Sequence, residues 1–116
     1  MIDITLDRDC IAVGETVSGT YSNASPQRQK LDLVISWHTE GRGNNEQEII
    51  YQTKIQPSSS GVPFSCSIPL SGPVSYDGEL LRIIWEVEIL QPTLLGSESL
   101  DSEVFRVVPR TTRRRV

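Results

Sequence analysis

Histidine and methionine each occur once in this chain of 116 residues, cysteine twice, and aromatic residues make up only 6% of it. Each scarcity removes a class of protein. A single histidine, His38, leaves a Ser-His-Asp or Cys-His centre one base to work with, and Ser36, Cys10 or Cys66 as nucleophile. No serine stands in the glycine-flanked elbow that exposes a hydrolase nucleophile. His38 is therefore expected to be a solvated imidazole at a strand end. Structural zinc takes about four nitrogen or sulfur ligands, and one histidine with two separated cysteines falls short. No metal site, cofactor or catalytic residue is expected, and the chain reads as a non-enzyme. No apolar run approaches the roughly 20 residues that a membrane helix needs. The opening Met1-Ile2-Asp3-Ile4-Thr5-Leu6 has neither the basic flank nor the apolar core of a secretory signal. A cytoplasmic location with reduced thiols at Cys10 and Cys66 is the resulting expectation. No window places apolar residues at i, i+3, i+4 and i+7 between caps, so helix is not the organising element.

Basic charge is scarce as well, except at one place. Arg110, Arg113, Arg114 and Arg115 supply four of the eleven basic residues. Without them, seven basic groups face fifteen acidic ones, a balance of −8 over residues 1–109. A body of that sign repels nucleic acid and anionic membranes, so no nucleic-acid partner is expected. The tail has the opposite sign and offers the one electrostatic anchor for an anionic surface. Residues 1–109 are thus read as one domain, of a size that buries a core unaided, and residues 110–116 as a basic, disordered tail.

What the chain does have is alternation. Ile2, Ile4 and Leu6 alternate with polar residues, and Ile11 and Val13 read as a short extension of that strand. Val17, Gly19 and Tyr21 mark a second strand, and Leu31, Leu33, Ile35 and Trp37 a third. Gly41-Arg42-Gly43-Asn44-Asn45 suits a hairpin loop, since glycine and asparagine accept left-handed backbone. Ile49, Tyr51, Thr53 and Ile55 form one side of the answering strand. Val62, Phe64, Cys66 and Ile68 alternate between Pro63 and Pro69, which lack ladder donors and place this strand at a sheet edge. After the turn signal Tyr76-Asp77-Gly78, the odd positions Leu81, Ile83, Trp85, Val87 and Ile89 are all large and apolar. Pro92–Ser99 reads as a polar turn, and Glu103–Val108 as the last strand. Period-two patterning over seven to eight short strands predicts an all-β sandwich of two antiparallel sheets, each burying one face. Glu86 and Glu88 share the other face, where paired carboxylates are ordinary solvated polar positions. Asp7, Asp9 and Glu15 read in the same way as a solvated sandwich end rather than a calcium site.

Three segments together resemble the arrestin-type immunoglobulin-like β-sandwich. The first runs from Leu6 through Ile11-Ala12-Val13-Gly14-Glu15-Thr16-Val17-Ser18-Gly19-Thr20-Tyr21. The second is Phe64-Ser65-Cys66-Ser67-Ile68-Pro69-Leu70. The third is Ser75-Tyr76-Asp77-Gly78 leading to Ile83-Ile84-Trp85-Glu86-Val87. In this order they span residues 2–108 and are similar to arrestin N-terminal and sporulation-control type proteins. The resemblance implies a protein-binding scaffold rather than an enzyme, although arrestins have two such sandwiches and this chain has room for one.

The expected binding surfaces are the loops 40–46 and 56–61, with Arg42, Asn44 and Asn45 as contact residues, or an exposed sheet edge that adds a partner's strand. Pairing of that edge with itself makes a homodimer a natural partner arrangement. The alternative is a membrane-surface adaptor in which Arg110, Arg113, Arg114 and Arg115 engage anionic lipid.

Overall fold

The computed structural model describes residues 2–23, 31–41, 45–55, 60–94 and 96–110. Among them are nine strands: β1 (Ile2–Leu6), β2 (Cys10–Ala12), β3 (Thr16–Asn23), β4 (Leu31–Gly41), β5 (Gln47–Ile55), β6 (Val62–Ser67), β7 (Tyr76–Asp77), β8 (Leu81–Thr93) and β9 (Gly96–Val108). One sheet has the order β1-β3-β6 and the other β2-β9-β8-β4-β5, with β7 beside β8. Every pairing is antiparallel except β2 with β9, which is parallel.

Alternation builds the core as the sequence predicts. Ile4, Val17, Tyr21 and Ile68 meet Leu31, Leu33, Ile35, Trp85, Val87, Ile89, Phe105 and Val107 in one buried cluster. The Trp85 and Phe105 rings lie 5.9 Å apart at 48°, the tilted arrangement that ring quadrupoles favour. The Trp85 indole N–H is satisfied by Pro73 O at 2.8 Å. Each such fully buried side chain contributes about 1.5–3 kcal/mol through lost contact with water.

Four local expectations need correction. Ile11 and Val13 do not extend β1: the chain crosses at residues 7–9 to the other sheet, where Cys10–Ala12 pairs with β9. Pro92–Ser99 is not a wide turn, because β8 runs to Thr93 and pairs with β9 from Gly96 onward. Pro92 fits there because it sits near the tip of a two-stranded ribbon, where a missing donor is tolerated. Ile49 does not share a face with Tyr51. The register shifts between Ile35 and Ser36, so that Ile35 faces Tyr51 while Ser36 faces Ile49. The extra residue, Ile50, makes a bulge, which turns Ile49 to the outer face at 50% exposure. Leu81 is also outside the core, at 39% exposure, since β8 begins beyond the smaller sheet.

The first two of the segments that resemble the arrestin type meet in space. Gly14 N–H donates to Ile68 O at 2.8 Å, Ile68 N–H donates to Glu15 O at 2.8 Å, and the Glu15 carboxylate accepts from Ala12 N–H at 2.9 Å. Gly14 has φ 84, a left-handed conformation that calls for glycine, while the Leu70 Cδ2 that a Cβ would meet at 2.7 Å is the end of a movable side chain. At Gly19 a Cβ would lie 2.2 Å from Thr5 O, which explains the glycine inside β3 where β1 passes closely.

Candidate functional site

The two long sides of the sandwich differ. On one, the edge of β1 is tied to the facing sheet: Ile4 N–H donates to the Asp101 carboxylate at 3.0 Å. The crossing at residues 7–9 adds Arg106 N–H to Asp9 O at 2.7 Å and Asp7 N–H to Ser18 O at 2.9 Å. On the other side lie the outer strands of both sheets, β6 and β5, and the sheets do not close over each other. A cleft of 640 Å³ opens between them, with Tyr21, Leu33, Tyr51, Ile55 and Phe64 among its walls. Burial pushes the Tyr21 phenol up from its ordinary value of 10.0.

Four strands end the two sheets, and they are not equivalent. β1 is capped by Asp101. β2 has three residues, too few to template a ladder. β6 carries Pro63, directly opposite Thr20, which removes one donor from an edge of six residues. β5 has nine residues, no proline, and among the described residues one paired neighbour, β4. Natural edges are usually blunted by proline, charge, brevity or bulges. β5 has the bulge at Ile50 and the single lysine Lys54, and beyond them it exposes Ile49 and Tyr51, the latter at 38%. The prolines placed Val62–Ile68 at an edge, and β6 is one; the β5 edge and the cleft have no local signal in the sequence, since both depend on strand order.

The residues named from sequence fall elsewhere. Asn45 is exposed just before β5, where Thr39 N–H donates to Glu46 O at 2.9 Å and closes the hairpin. Arg110 is exposed after β9, near Gly14. Both stand at one end of the larger sheet, with β8 and β4 between them, so the fold does not bring them together. Arg42, Asn44, Arg113, Arg114 and Arg115 lie outside the described residues, as do residues 56–59 of the second expected loop.

The outer face of the larger sheet carries the chain's one histidine. His38 Nε2 is 3.1 Å from Glu40 Oε2, and Nδ1 is 3.5 Å from Glu86 Oε1. Both ring nitrogens thus face carboxylates rather than a hydroxyl or thiol. Burial raises the Glu86 carboxyl above its ordinary 4.5, Glu88 and Glu40 raise it further, and His38 opposes them. Arg82 Nε holds Asp77 at 3.0 Å at the end of the same face. Cys10 and Cys66 are free; burial raises the Cys66 thiol, and its Sγ donates to Ser67 O at 3.4 Å. A raised thiol has little thiolate and is a poor nucleophile. Among the described residues no group of three or more His, Cys, Asp or Glu side chains is placed to hold a metal ion. No described helix is long and apolar enough to cross a membrane.

No family model matches the chain, and no curated protein matches it. Solved structures do. The fold is similar to that of Spo0M, a sporulation control protein from Bacillus subtilis, with a TM-score of 0.61 at 21% identity. The match covers 94% of this chain and 49% of that one, so the chain spans about half the length of Spo0M. At this identity the likeness concerns the fold alone: the chain is an all-β, arrestin-like sandwich, as its three segments suggest.

Proposed function

We propose that this chain is a non-enzymatic, cytoplasmic protein-interaction scaffold that binds by adding a partner's strand to β5. The observation that carries this reading is the nine-residue edge of β5, unpaired among the described residues, beside a cleft with apolar walls. Main-chain hydrogen bonds to the edge supply affinity. Alternate side chains of the added strand enter the cleft and supply selectivity. The arrangement at His38 supports the non-enzymatic half, because both imidazole nitrogens already face carboxylates. A photo-cross-linking amino acid placed at Gln52, and for comparison at Asp3 on β1, tests the reading in cells. Partner adducts should form from position 52 and not from position 3. Adducts from position 3 alone would overturn it.

The membrane-adaptor reading makes a different demand. It requires anionic vesicles to bind the chain through Arg110, Arg113, Arg114 and Arg115. Deleting residues 110–116 should then abolish flotation with the vesicles, and unchanged flotation removes that reading.

A further inference from the structure

We propose that one occupant of the β5 edge is a second copy of this chain, paired antiparallel about a two-fold axis through Thr53. The inference rests on the strand-addition reading and names its partner and register. The usable ladder is bounded at both ends. Toward the N-terminus the bulge at Ile50 bends the strand out of register, and bulges terminate pairing. Toward the C-terminus β5 ends at Ile55, and Pro57 lacks a donor. Five residues remain, Tyr51–Ile55, and the self-pairing that uses all five is centred on Thr53.

That register is self-complementary. Tyr51 meets Ile55 of the second copy, Gln52 meets Lys54, and Thr53 meets its own counterpart, each pair occurring on one face. Aromatic with β-branched, and threonine with threonine, are pairs that stabilise antiparallel neighbours. Lys54 is the one charge in the segment and faces an amide, so no like charges are opposed. A register centred on Tyr51 brings Glu48 opposite Lys54, which suits their charges but not their placement. The bulge sets Glu48 opposite Trp37 on the core side, whereas Lys54 stands opposite Asp32 on the outer side. In the Thr53 register Tyr51, Thr53 and Ile55 all face the cleft side, so the two clefts join beneath one continuous sheet and cover Tyr51. A ladder this short makes a weak dimer, with a Kd on the order of 100 µM.

Sedimentation velocity on the full chain, up to about 1 mM, reads the dimer directly, and two exposed substitutions set its sign. Gln52→Glu places a carboxylate opposite Lys54 twice per dimer and should tighten it about threefold to tenfold; Gln52→Lys should weaken it by a similar factor. Thr53→Cys, in a chain with Cys10 and Cys66 changed to serine and with oxidised glutathione added as the electron acceptor, should form an intermolecular disulfide on the axis, whereas Gln52→Cys should not. A monomer at every concentration overturns the inference. So does a dimer indifferent to the charge at position 52, or one that cross-links from position 52 but not 53. These outcomes leave strand addition to a different protein standing, because that reading fails only when in-cell adducts miss position 52.

Discussion

The closed and open sides of this sandwich are made of similar strands and end in opposite states. On the closed side β1 has a free edge in principle, but Asp101 reaches from β9 to take the Ile4 amide, and β2 fills the corner by pairing in parallel with β9. On the open side nothing described plays the role of Asp101 for β5, and Tyr51 and Ile49 are left exposed. The tie on the Ile4 amide, present on one side alone, shows where the two sheets are held together and where a partner is proposed to dock. Satisfied edges hold the two sheets together, and an unsatisfied one is available to a partner.

Mutations should break this contrast unevenly. The largest effect is expected at Ile11, 1% exposed in the closed corner. Ile11→Ala should cost about 3 kcal/mol in chemical denaturation, the usual loss for a buried isoleucine plus its cavity. Asp101→Ala leaves the Ile4 amide without its acceptor and should cost about 1–2 kcal/mol; it should also make β1 a second strand-accepting edge, which raises self-association. Tyr51→Ala on the open side should cost under about 1 kcal/mol in stability while reducing association more than either closed-side change. Equal losses at Ile11 and Tyr51 would erase the contrast.

The smallest effect belongs to the outer face, which serves as a control. Burial holds the Glu86 carboxyl above its ordinary value, so the folded chain binds that proton more tightly than the unfolded one. The stability this contributes is complete below about pH 4.5 and is lost as pH rises through the raised folded value. Ionised Glu86 is therefore a modest cost at neutral pH. Glu86→Gln should raise the melting temperature slightly at pH 7, flatten its pH dependence above 4.5, and leave association unchanged.

Period-two patterning made most of the sandwich legible, because β1, β3, β6 and β8 each turn one face inward and the pleat imposes the alternation, whereas β4 buries Val34 and Ser36 on its other face as well. The glycines were legible for a steric reason: Gly14 and Gly19 stand where backbone conformation or a neighbouring strand admits no side chain. The candidate site was much less so. Whether β5 has one neighbour or two is decided by strand order, which depends on pairings between distant segments such as β4 with β8, and alternation carries no record of them. The bulge at Ile50 was hidden for a related reason: Gln47–Ile55 looks regular, and only its pairing with β4 reveals the extra residue. Charge and loop composition drew attention to Arg42, Asn44, Asn45 and the arginine tail, yet Asn45 and Arg110 stand apart and neither lines the cleft.

Residue-resolved amide hydrogen exchange on the dilute full chain tests the difference between the two sides most directly. Alternate amides between Gln47 and Ile55 should exchange at nearly unprotected rates while Ile4 exchanges slowly, as befits a donor held by Asp101. Uniform protection along β5, or an Ile4 amide that exchanges as fast as its outward-facing ones, would contradict the open edge on which the proposed function depends.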